Sequence, residues 1–133
     1  MSTAKPSGVD ARVRLSMLWV FVLLNMAYAD ILSLMDPTSA IRLRMTGTPL
    51  TSGSLLAGAI LMETAIAMVV LCWVLPYKAN RWANIIVAAL NIFAVVTGGH
   101  GLYYAFFATV EVVAMLIIVW FAWTWKPTVE SDV

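Results

Sequence analysis

Residues 55–75, LLAGAILMETAIAMVVLCWVL, form a 21-residue run whose one acidic side chain is Glu63. Coiled as an α-helix it is about 31 Å long, which matches the hydrocarbon thickness of a bilayer. A helix satisfies its own backbone N–H and C=O groups, so it is the form such a run takes in lipid. Pro76 closes the run because a proline disfavours helical geometry in the residue before it.

Outward from this span, the same reasoning finds three more. Leu15 to Met35, LSMLWVFVLLNMAYADILSLM, is again about 31 Å as a helix and ends at Asp36-Pro37. It reads as a retained span, since it is too long and too polar at Asn25 and Asp30 for a cleaved signal. Trp82 to Thr97 is slightly short for a crossing and is expected to run on past Thr97. Leu102 to Trp125 is the fourth span, ended by Lys126-Pro127. Between the third and fourth, Gly98-Gly99-His100-Gly101 leaves so short a turn that the two helices must be antiparallel neighbours. The fold expected is all-α: an integral membrane four-helix bundle, antiparallel and up-down-up-down. Its one domain covers residues 15–125, between a flexible tail at 1–14 and a short tail at 126–133. The linker near 36–52, with Arg42 and Arg44 among apolar residues, reads as a short interfacial helix with snorkelling arginines.

Composition agrees. Of 133 residues, 62% are hydrophobic and 11% charged, against about a quarter charged in an ordinary soluble domain. Lipid is therefore the main surrounding. A net charge of +1 supplies no basic field for nucleic acid. Cys72 is the only cysteine, which excludes an intrachain disulfide and a Cys-x-x-Cys redox pair. It reads as a small apolar filler.

Lys5, Arg12, Arg14, Lys78, Arg81 and Lys126 fall on one side of the spans, and only Arg42 and Arg44 on the other. Because cytoplasmic loops retain positive charge, both termini are expected in the cytoplasm. Trp19, Trp73, Trp82, Trp120, Trp123 and Trp125 mostly lie near those cytoplasmic helix ends, where indoles favour the headgroup boundary.

Against this apolar background the polar side chains within the spans stand out: Asp30, Glu63, Glu111, Asn25 and Asn91, with Tyr104 on the fourth helix and His100 at the outer mouth of the third. A carboxylate charged at mid-membrane costs at least about 2 to 3 kcal/mol, so protonation, pairing or hydration must lower that cost. Helical rise puts Glu63 and Glu111 about 13 Å from their outer helix ends and Asp30 about 7 Å from its own. Ala59, Glu63, Ala67 and Val70 share a face of the second helix, whose small residues would let another helix approach. Asn84, Asn91 and Gly98 repeat every seven residues on the third. Tyr104, Ala108, Glu111 and Met115 share a face of the fourth. These faces are expected to meet, so that Glu63 and Glu111 share one interior. A pseudo-twofold relation is also expected, pairing Asn25 with Asn91 and Glu63 with Glu111. The plainer alternative is that these groups only hydrogen-bond between helices and specify packing. Arg42 and Arg44 read as interfacial anchors, or else as caps over the carboxylates from outside.

No acidic or histidine pair has metal-ligand spacing, and neither a phosphate loop, a nucleophile elbow nor a haem-ligating pair occurs. No metal, cofactor or catalytic residue is assigned.

Gly58-Ala-Ile-Leu-Met-Glu63, the apolar run after it, the basic turn to Arg81 and the Ala-rich third helix resemble the DoxX-like superfamily of small four-helix membrane proteins. The resemblance covers mainly residues 54–97. It departs from the usual pattern where Thr64-Ala65-Ile66-Ala67 replaces further glycines. The first helix, with NMAYADILSLMDP at 25–37, looks like that of a bacterial relative. The resemblance implies a four-helix bundle in the bacterial inner membrane and association with redox or stress systems, and it supplies no settled catalytic residues.

The function expected is a non-enzymatic membrane module. Its outer-half acidic and amide cavity, built from Glu63, Glu111, Asp30, Asn91, Asn25, Tyr104 and His100, would bind a small amphipathic or cationic ligand with coupling to protonation of Glu63 or Glu111. Two alternatives stay open: an accessory subunit of a larger redox complex, and transport of a small solute by a homodimer or larger oligomer. The partners expected are the lipid bilayer and, under those alternatives, further copies of the chain or a larger membrane complex.

Overall fold

The four apolar runs form four helices in the structure, a computed structural model that describes residues 8–36, 51–97 and 101–126. In chain order they are α1 (Gly8–Met35), α2 (Ser52–Val74), α3 (Tyr77–Thr97) and α4 (Leu102–Thr124). Each is long and apolar enough to cross a membrane.

Helix ends follow local chemistry. Thr51 caps α2, its hydroxyl oxygen accepting from the Ser54 N–H at 3.2 Å, which satisfies one of the orphan donors of a first turn. Leu75 and Pro76 alone separate α2 from α3. Pro76 starts α3 as effectively as it stops α2, because its carbonyl accepts from the Asn80 N–H at 2.8 Å and proline's fixed φ suits a helix entry. Gly101 precedes α4 with φ +113°, a region that L side chains rarely enter. That confirms the glycine turn in its last residue.

Two boundaries differ from expectation. α1 begins at Gly8 rather than Leu15, and α3 at Tyr77 rather than Trp82. The polar start of α1 is helical because Arg12 has a binding partner: its Nη1 donates to the carbonyls of Cys72 (2.9 Å), Trp73 (3.1 Å) and Leu75 (2.9 Å) at the end of α2. A cation at the carbonyl end of a helix satisfies acceptors that have no intrahelical donor. The early start of α3 gives it spanning length by Thr97; the expected run past Thr97 falls on residues 98–100, outside the described residues. The linker expected as an interfacial helix, with Arg42 and Arg44, lies outside the described residues at 37–50, and so do His100 and the C-terminal tail from 127.

The helices close a ring in which each packs on its two chain neighbours and α4 returns to α1; α2 with α3 is the loosest pair. Contacts such as Arg12 with Leu75, Tyr28 with Phe107 and Trp82 with Trp123 show that neighbours run antiparallel. The bundle is thus up-down-up-down, as the sequence implies. Small buried residues, Ala65, Ala88, Ala114 and Ala122, let the backbones approach, which matters because lipid gives apolar side chains little reason to leave it. Around them Trp19, Met68, Met115 and Ile118 fill the core. Large apolar side chains such as Leu24, Ile86, Phe93 and Leu116 cover the outside, as a bilayer requires.

Candidate functional site

Two polar layers cross the bundle, and they differ in kind. The first lies near the α2–α3 hairpin and is closed. Trp19 Nε1 on α1 donates to Asn84 Oδ1 on α3 at 2.8 Å, and Cys72 Sγ approaches the same oxygen at 3.6 Å. Asn84 Nδ2 donates to the carbonyl and side-chain oxygens of Asn80 at 2.8 and 2.7 Å. Asn80 Nδ2 in turn donates to the Cys72 carbonyl at 2.7 Å. All four residues are fully buried. A network so thoroughly satisfied fixes helix register and offers nothing to a ligand. Around it Ser16 donates to the Val69 carbonyl and the Tyr77 hydroxyl to the Trp125 carbonyl, while Arg81 stands 4.6 Å from the Trp123 ring centroid.

The second layer lies in the opposite half and is open. A cavity of about 190 Å³ is bounded by residues from every helix: Met26, Ala29 and Asp30 of α1, Gly58, Leu61 and Met62 of α2, Asn91, Ala94 and Val95 of α3, and Tyr104 and Glu111 of α4. Gly58 lines it with backbone alone, and no atom lies within 4 Å of where a Cβ would stand. Asp30 is exposed at the rim. Glu111 is 3% exposed, and its Oε1 has no hydrogen-bond partner among the described residues. Among the described residues only one other buried side-chain atom, Arg81 Nε, lacks a partner. Such a group requires a water, a proton or a ligand.

The other polar walls are already oriented. Asn91 Nδ2 donates to the Val87 carbonyl at 2.9 Å and to Thr64 Oγ1 at 3.3 Å. The Tyr104 hydroxyl donates to the Val95 carbonyl at 2.7 Å, leaving its oxygen lone pairs as acceptors. Among the described residues no lysine or arginine lines the cavity. What converges there is a set of acceptors with a carboxyl group at the rim and another at the wall. Beyond Tyr104 and Val95, which it shares, lies an apolar groove of about 450 Å³ between α3 and α4.

Of the residues that the sequence singles out, the structure brings Asp30, Asn91, Tyr104 and Glu111 to one cavity. Asn25 is elsewhere, its amide donating to the Phe21 carbonyl of its own helix at 3.0 Å. His100 lies outside the described residues. Glu63 corrects the expectation most sharply. It is exposed on the outside of α2 rather than sharing an interior with Glu111. The physical reason is helical phase: Cys72, nine residues on and fully buried, lies about 180° from Glu63 around the helix. Asn25 and Asn91 therefore occupy unlike surroundings, as do Glu63 and Glu111, whatever their depths. Trp19 and Trp125 likewise are buried packing residues rather than headgroup anchors.

Sequence reasoning missed Asn80, Arg12 and Gly58. Asn80 had a readable signal, standing one helical turn before Asn84. Gly58 stands in the Gly58 to Glu63 motif, but nothing there marks it as a cavity wall. Among the described residues no group of three or more His, Cys, Asp or Glu side chains is placed to hold a metal ion.

Four apolar helices of spanning length in an antiparallel ring define a small multi-pass membrane protein. Residues 8–131 match the model of DUF6326, a family of unknown function, and the chain belongs to that family. No curated protein and no solved structure matches it.

Proposed function

We propose that the protein binds a small cationic or amphipathic ligand in the Asp30–Glu111 cavity, and that binding is coupled to the proton of Glu111. The observation that carries this reading is the buried Glu111 Oε1, which has no hydrogen-bond partner among the described residues, on a cavity wall to which those residues contribute no lysine or arginine. A positive centre beside Glu111 and Asp30 supplies the countercharge that an intramembrane carboxylate lacks. Roughly 190 Å³ is below the ~300 Å³ at which drug-sized pockets begin, so the bound group is small, such as a methylated ammonium. An amphipathic ligand would place its tail in the adjoining apolar groove, with Tyr104 between the two.

The test is calorimetric titration of the protein in lipid nanodiscs with tetramethylammonium. Binding that Glu111→Gln or Asp30→Asn weakens at least about tenfold supports the reading; no heat, or equal affinity in all three proteins, removes it. Flux of the same cation into proteoliposomes would extend the reading to transport.

The membrane in question is, in this proposal, the bacterial inner membrane, with both termini cytoplasmic. Support comes from the excess of Lys and Arg at the hairpin end and from the DoxX-like resemblance of Gly58 to Glu63 with Arg81. A reporter fused after Val133 should be active only where the reporter works in the cytoplasm. The accessory-subunit reading rests on the resemblance alone.

A further inference from the structure

We propose that the chain forms a twofold homodimer through the outward face of α2, in which the Glu63 side chains of two copies meet at mid-membrane and hydrogen-bond to each other. Glu63 stands at the midpoint of Ser52–Val74 and is exposed. A lone carboxyl group facing acyl chains at that depth is unfavourable in either protonation state, because lipid offers neither a hydrogen bond nor a countercharge. Its own bundle supplies no partner among the described residues. The nearest hydroxyl, that of Thr64, is spent on the Leu61 carbonyl at 2.6 Å.

The surface around Glu63 has the form of a helix-packing seam. Leu56, Ile60, Val70 and Val74 are all exposed, and with Glu63 they recur at spacings of three, four and seven on one side of α2. α2 is also the least buried of the four helices. The seam is apolar except at its midpoint.

That pattern selects a second copy as the occupant. Two copies inserted in the same sense, related by an axis along the bilayer normal, bring equal depths together. Apolar residues then meet apolar ones, and the only polar group of the seam meets itself. Two carboxyl groups are self-complementary when a proton lies between them: the O–H of one donates to an oxygen of the other. A different partner protein would need its own polar group at that depth. The dimer is independent of the cavity, which lies on the inner side of the same helix.

Cysteine cross-linking in native membranes tests this. Ile60→Cys and Val70→Cys keep Glu63 and place a thiol on the seam, while Phe93→Cys places one on the lipid face of α3, where Phe93 is 70% exposed. Mild oxidation should link the two seam variants into disulfide dimers and leave Phe93→Cys monomeric. Adding Glu63→Leu to Ile60→Cys should lower the cross-linked fraction at least about fivefold, the order expected of one intramembrane hydrogen-bonded pair. Glu63→Gln should retain most of it, since amides also pair with themselves. Equal linking at Phe93→Cys, indifference to Glu63→Leu, or a cross-link to a different protein would each overturn the proposal. A monodisperse elution profile for each variant confirms that the bundle has folded.

Discussion

The Trp19 indole and the Asn84 amide, on helices that face each other across the diagonal of the ring, are joined by a 2.8 Å hydrogen bond. It ties α1 to α3, which otherwise meet only through their neighbours. The two residues and the Asn80 and Cys72 groups around them make this half of the bundle closely bonded and fully buried. Trp19→Phe removes the donor while keeping most of the ring volume. Asn84 Oδ1 is then left with only the Cys72 thiol, so the variant should lose about 1 to 2 kcal/mol of stability. Unfolding by SDS in mixed micelles measures the loss.

Arg12 acts at the same end by a different route. Its guanidinium holds three carbonyls at the last turn of α2 and lies 5.6 Å from the centroid of the Trp125 ring. Arg12→Ala should therefore cost about 1.5 to 3 kcal/mol, the range for hydrogen bonds from a charged donor. Faster hydrogen exchange should appear in the first two turns of α1. Lysine at this position should restore only part, because its ammonium lacks the planar face that the Arg12 guanidinium sets 5.6 Å from the Trp125 ring centroid.

The solidity of that layer has a chemical readout at Cys72, whose side chain is fully buried. A membrane-permeant maleimide should label it slowly in the folded protein and completely in SDS. Asn80→Ala, which removes the amide over the Cys72 carbonyl, should speed labelling of the folded protein.

Gly58 allows the cavity to be altered without touching its polar groups. A Cβ there meets nothing within 4 Å, and Ala is favoured over Gly inside a helix, so Gly58→Ala should be neutral or stabilising by up to about 1 kcal/mol. Gly58→Leu, reaching further into the same space, should abolish tetramethylammonium binding with the helix content unchanged. Circular dichroism and calorimetry on both variants distinguish filling from unfolding.

How far the sequence could be read is clearest from α2 and α3 side by side. That both are spans is plain from length and apolarity. On α3 the asparagines mark the inner face, and Asn84 and Asn91 are indeed buried. On α2 apolar residues occur all round, so its sequence carries little information about which side faces in. Small residues near Glu63 suggested the interior, yet the face they mark points away from the bundle. The start of α1 was illegible for another reason: residues 8–14 are polar, and what orders them is Arg12 reaching a carbonyl cluster sixty residues away in sequence. The acidic cavity was half legible. Depth brought Asp30, Asn91, Tyr104 and Glu111 to one half of the bundle, whereas the exclusion of Asn25 and Glu63 depends on rotations that only tertiary packing sets.

The proposed proton coupling carries a definite sign. A cation is attracted to the ionised carboxylate, and no lysine or arginine among the described residues of the wall repels it, so the proposed cation binding would displace the proton of Glu111. Affinity should therefore rise with pH through the range in which Glu111 titrates and level off above it. Glu111→Gln should flatten that dependence.

The most direct measurement is infrared difference spectroscopy of the nanodisc-embedded protein, recorded as tetramethylammonium is added at a series of pH values from about 4 to 9. Loss of one protonated-carboxyl C=O band with gain of a carboxylate band, absent from Glu111→Gln, is the predicted result. No change at any pH, or the same change in Glu111→Gln, would contradict the account.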